Sequence, residues 1–135
     1  MQGDSEFGRA HRIQDSAAQV GFDWPDTRGP WEKVKEEVRE LEQEMGRGTR
    51  ERLEAELGDV LFAVVNLARK LGIDSEAALA RANDKFVRRF EQVKKLAAQR
   101  GLVLGSASIE ELDEIWEEVK DGEGRGKTGM DGEHP

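Results

Sequence analysis

Five carboxylates are the side chains best placed to do chemistry: Glu36, Glu37 and Glu40, then Glu56 and Asp59. Glu37 and Glu40 are three residues apart, as are Glu56 and Asp59, so on helices each pair shares one face within reach of a common ion. Glu56 and Asp59 come directly before the apolar run VLFAVV, from Val60 to Val65, which places Asp59 near the interior. Gly58 between them would allow close approach of a neighbouring backbone. Ionised carboxylates crowded there repel one another and lose hydration, at a cost of several kcal/mol per ion. Protonation, pairing with Arg or Lys, or a shared divalent cation would each relieve this.

A lone ExxE among 29 acidic residues is ordinarily a solvated face, and Glu42, Glu44, Glu51 and Glu54 read that way. Two pairs on consecutive helices, one beside the most apolar stretch, weigh against that reading, though the pattern alone leaves both open. The donors are all oxygen, which suits Mg²⁺ or Mn²⁺ rather than zinc. A di-iron bundle would need Glu-x-x-His motifs, and the two histidines, His11 and His134, lie outside the central helices. Cysteine is absent, so disulfides, thiolate metal sites and Cys nucleophiles are excluded.

A second group follows in ARANDKFVRRFEQVKK. Lys85, Arg88 and Arg89 share one side of a helix, with Asn83 close before them, while Phe86 and Phe90 are expected in the core. Such cations usually pair with surface acids. Beside a carboxylate metal site they gain a use, because metal ions and Arg or Lys together neutralise a polyphosphate.

The elements that must position these residues are helices. At 135 residues the chain is one domain, with 36% hydrophobic and 37% charged residues. Its prolines stand at 25, 30 and 135, leaving residues 31–121 free of the strongest helix breaker. Periodicity predicts five helices: Arg9 to Val20, Pro30 to Met45, from behind Thr49 to Leu71, from Asp74 or Ser75 to near Gly101, and from about Ser108. The expected fold is an all-α bundle of four to five helices over residues 9–121. Residues 1–8 read as loose and the Gly-rich stretch 122–135 as disordered. A net charge of −8 disfavours nucleic acid and anionic membranes as partners. With no apolar run long enough to span a bilayer and no signal peptide, a cytoplasmic protein is expected.

With these residues in view, the chain resembles MazG-type nucleoside triphosphate pyrophosphohydrolases of the all-α NTP pyrophosphatase superfamily. The hallmark EExxE followed by ExxD stands here as Glu36-Glu37-Val38-Arg39-Glu40 and Glu56-Leu57-Gly58-Asp59. The likeness extends to VGFDWPD (Val20 to Asp26), ELGDVLFAVVNLARKLG (Glu56 to Gly72), ANDKFVRRF (Ala82 to Phe90) and Trp116, and is nearest to the C-terminal of two tandem domains in longer members. The resemblance implies a Mg²⁺-dependent homodimer that hydrolyses nucleoside triphosphates to monophosphate and pyrophosphate, with Mn²⁺ as a possible substitute. By matching position it makes Glu37, Glu40, Glu56 and Asp59 the metal ligands. It places Lys33, Glu36, Asn83, Lys85, Arg88 and Arg89 around the nucleotide, and Trp116 near its base. Catalytic work falls to Glu36, Glu37 and Glu56, with Glu36 or Glu37 as the proton acceptor. A narrower dUTP or dCTP pyrophosphatase and a catalytically silent helical interaction module are the alternatives. For Trp116 core packing competes with base stacking.

Overall fold

The computed structural model of the chain describes residues 5–126, with side chains through residue 124. Among them are five α-helices and no strand: α1 Glu6–Gln19, α2 Arg28–Glu44, α3 Arg50–Lys70, α4 Ser75–Gln99 and α5 Ile109–Gly126. Contacts divide the chain into two compact units, one up to Ala78 and one from Leu79 onward.

In the first unit α3 is the common partner of α1 and α2. Thr49 starts α3 as expected, its Oγ1 accepting from the Arg52 N–H at 3.2 Å. A short turn separates α2 from α3, so the two run antiparallel. The buried apolar residues of α3 are Ala63 and Val65. The rest of VLFAVV is not enclosed: Leu61, Phe62 and Val64 are 43%, 46% and 41% exposed. Two partner helices cannot cover a helix that is apolar on every side.

The loop between α1 and α2 is tied down at the far end of α3. Asp23 accepts from Arg69 Nη2 at 2.6 Å and from Lys70 Nζ at 3.2 Å, and Lys70 also donates to the Trp24 carbonyl at 2.7 Å. Trp24 then lies on Gly29, where a Cβ would collide with its ring. The Arg69 hydrogen bond, foremost, pulls the Asp23 carboxyl down to about 2. A depressed acid contributes stability above its unfolded pKa and loses it as the pH falls through the folded one. Asp23→Asn is therefore expected to lower the melting temperature at neutral pH. In thermal melts the variant and wild type should converge as the pH falls from about 4 towards 2.

In the second unit Val93 and Ala97 of α4 pack with Ile115 and Val119 of α5, flanked by Leu96, Leu102 and Trp116. Ser108 and Glu111 form a reciprocal cap at the start of α5, with bonds of 3.1 and 2.9 Å. Arg100 and Glu118 pair at 2.6 Å.

Three expectations need correcting. α1 begins at Glu6, inside the stretch read as loose, because Ser5 Oγ caps the Gly8 N–H at 3.0 Å. α5 continues to Gly126, past the expected end of order at Gly122, and Glu123 pairs there with Arg89 at 2.9 Å. Phe86 and Phe90 are 54% and 37% exposed rather than in the core. They stack on each other at 5.9 Å, and Phe86 meets Trp116 at 5.2 Å. The remainder of the two terminal expectations, residues 1–4 and 127–135, lies outside the described residues.

Candidate metal centre and active site

α2 and α3 bring the carboxylates together. Oxygens of Glu37, Glu56 and Asp59 lie within 4.8 Å of one another, and so do oxygens of Glu36, Glu37 and Glu40. Glu37 belongs to both groups and is the most buried of the five, 7% exposed. Its neighbours were legible from the i, i+3 spacing; its burial was not. Asp59, expected near the interior, is exposed and stands at the rim, while Glu56 is half-buried. Gly58 has nothing within 4 Å of where a Cβ would be, so no backbone approaches it closely. It borders a cavity beside α1 instead.

Lys33 pairs with two members of this cluster. Its Nζ lies 3.2 Å from Glu37 Oε2 and 3.6 Å from Glu36 Oε2. The hydrogen bond to Glu37 raises the Lys33 pKa above that of an ordinary lysine. Glu40 is pushed up too, first by the charge of Glu37, then by burial and by Glu36 and Glu56.

Two atoms test whether a cation fits. Glu37 Oε1 and Glu56 Oε1 are buried and lack any hydrogen-bond partner. Buried polar atoms are nearly always satisfied, and a carboxylate oxygen without a donor is the costly kind of exception. An oxygen-only donor set of this charge suits a hard divalent cation.

The second unit holds the other site candidates. Asn83 and Arg88 are exposed and Lys85 is half-buried. Arg89 is buried, 5% exposed, with Nε on Glu123 and Nη1 unpartnered; its guanidinium lies 5.9 Å from the Trp116 ring. Trp116 is half-buried against the core of its unit, the packing role that competed with stacking on a base. Glu123 had been missed altogether, because a carboxylate amid glycines looks like tail.

Fold and site together define an all-α domain whose adjacent helices gather carboxylates into a position suited to divalent cations. Residues 31–94 match the family model described as the MazG nucleotide pyrophosphohydrolase domain. The chain is 50% identical over 114 residues to the "Nucleoside triphosphate pyrophosphohydrolase/pyrophosphatase MazG" of Thermotoga maritima, covering 84% of this chain and 44% of that protein. It is 47% identical over 115 residues to the "Nucleoside triphosphate pyrophosphohydrolase" of Escherichia coli (strain K12), covering 83% and 43%. A Bacillus subtilis protein, "Uncharacterized protein YabN", matches at 47% over 73 residues, which is 54% of this chain and 15% of YabN. The chain belongs to the MazG nucleotide pyrophosphohydrolase family. It spans less than half the length of the first two relatives.

Proposed function

We propose that the protein hydrolyses nucleoside triphosphates to the monophosphate and pyrophosphate, with Mg²⁺ held by Glu37, Glu40, Glu56 and Asp59. The observation that carries this is the convergence of Glu37, Glu56 and Asp59 oxygens within 4.8 Å, two of the three side chains keeping a buried oxygen without a partner. The names of the Thermotoga and Escherichia relatives support the same reaction.

When bound, divalent ions supply a lowered pKa for water and neutralise phosphate charge. The chain's own residues do the rest. Glu36, exposed on the same helix as Glu37 and Glu40, would accept the proton of the water attacking the α-phosphorus. Glu37 is the alternative acceptor, with Lys33 fixing its Oε2 and leaving Oε1 available. Glu56 brings a carboxylate oxygen from α3 within 4.8 Å of one of Glu37. Within the first unit Lys33 supplies a donor for the triphosphate; within the second, Asn83, Lys85, Arg88 and Arg89 are the candidate phosphate donors and Trp116 the candidate aromatic face. Among the described residues no helix is long and apolar enough to cross a membrane. A triphosphate substrate agrees with a cytoplasmic enzyme.

The proposed assembly is a homodimer. Leu57, Leu61 and Val64 follow at i, i+4 and i+7 on α3 and are 48%, 43% and 41% exposed, an apolar stripe that a second copy would cover. Leu61→Asp should shift the sedimentation mass from dimer to monomer; an unchanged dimer would exclude this stripe as the interface.

Product identification tests the reaction. With Mg²⁺ and a panel of NTPs and dNTPs, monophosphate with pyrophosphate is expected. Diphosphate with orthophosphate would refute attack at the α-phosphorus. Turnover confined to dUTP or dCTP would mark the narrower enzyme, and none with any nucleotide the silent module.

A further inference from the structure

Within the first unit, a cavity of about 460 Å³ opens between α1, the loop that follows it and α3. This is within the range of small-molecule sites. Its aromatic walls are Phe22, Trp24 and Phe62, and its polar side chains are Gln14, Asp23, Asn66 and Arg69. Nothing in the proposed reaction uses these residues.

The walls are built rather than incidental. Trp24 is held from behind by Gly29, which has no side chain to displace it, and its carbonyl is bound by Lys70. Asp23, beside it, is clamped by Arg69 and Lys70. The two amides are oriented as well. Gln14 Nε2 donates to the Phe62 carbonyl at 3.0 Å, which leaves Gln14 Oε1 as a buried acceptor without a donor. Asn66 Oδ1 accepts from Arg69 Nε at 3.0 Å, which leaves the Asn66 NH₂ as the donor turned to other partners. Arg69 is itself neutralised, with Asp23 at 2.6 Å and Asp15 at 3.7 Å. The pocket therefore presents aromatic faces, one amide donor and one amide acceptor, and no net charge. That chemistry fits a flat heterocycle with polar edges and does not fit a phosphate.

Position gives the occupant. Asp59, Phe62 and Asn66 follow at i, i+3 and i+7 along α3, so they line one stripe of the helix. Asn66 is two turns beyond Asp59, about 10 Å of helix rise. That matches the reach of a nucleotide from its α-phosphate to the far edge of its base. We propose that this pocket receives the base of the nucleoside triphosphate and reads its edge through Asn66 and Gln14, a base contact separate from Trp116. The inference rests on the reaction proposed above.

Steady-state kinetics of the full chain with ATP, GTP, CTP and UTP test it, with inorganic tripolyphosphate as a competitor that has no base. Trp24→Leu and Asn66→Ala should raise KM about tenfold, the loss of one stack or one edge contact, and alter the ranking of the four bases. Both should leave kcat and inhibition by tripolyphosphate unchanged. The isosteric Asn66→Asp keeps the fold and should show the same altered ranking. Unchanged KM and ranking in these variants, with wild type active, would overturn the base pocket alone. A changed sedimentation mass without a change in KM would assign the pocket to subunit contact and overturn it too. Wild type that releases no pyrophosphate from any of the four would instead reject the reaction itself.

Discussion

Glu56→Gln and Asp59→Asn should each lower Mg²⁺-dependent pyrophosphate release by more than about 100-fold, since loss of even an outer-shell partner of a metal site typically costs 10–100-fold. Both substitutions keep size and shape and remove one negative oxygen from the group that Glu37 completes. Both proteins should stay folded. Asp59 is exposed and Glu56 half-buried, so neither supports the apolar packing around Ala63 and Val65. Turnover near wild type in both variants, measured by pyrophosphate release, would contradict the site.

The second large effect is on stability, and its sign follows from Glu40. An acid whose pKa is raised in the folded state costs stability while ionised, and the metal-free protein regains that stability as the pH falls through the titration of Glu40. A cation in the cluster reverses the effect, because it favours the ionised acid. Mg²⁺ or Mn²⁺ at 100 times its dissociation constant should add about 2.7 kcal/mol. For a chain of this size that raises the melting temperature by on the order of 10 °C. Glu40→Gln should behave in two opposite ways: without metal it melts no lower than wild type at neutral pH, and with metal it gains much less. Equal metal-induced shifts in the variant and wild type would remove Glu40 from the ligand set.

Much of the fold was legible because its signals are local. Thr49, Asp74 and Ser108 cap helices as their types and positions require, with Asp74 Oδ1 accepting from the Glu76 N–H at 3.0 Å. The carboxylate pairs were legible for the same reason, since i, i+3 spacing on adjacent antiparallel helices leaves few other arrangements.

What could not be read depends on which neighbour covers which face. Burial passes from Asp59 to Glu37, and VLFAVV stays half open, because α1 and α2 cover only part of α3. Phe86 and Phe90 looked like core by their period, yet Val93 and Ala97 take that place. Glu123 was hidden in a glycine-rich stretch whose composition argues against order, and an ion pair with a residue 34 positions earlier cannot be seen in composition. The pocket of Gln14, Trp24, Phe62 and Asn66 is assembled by contacts such as Gln14 to Phe62, 48 residues apart, and carries no motif.

The most direct measurement is the anomalous scattering of crystals grown with Mn²⁺. The arrangement of α2 and α3 predicts density for at least one ion within coordination distance of Glu37, Glu56 and Asp59, satisfying the two orphaned oxygens. Saturated crystals with no peak between these side chains, or with manganese only at unrelated surface acids, would show that the carboxylates gather there for some reason other than a metal.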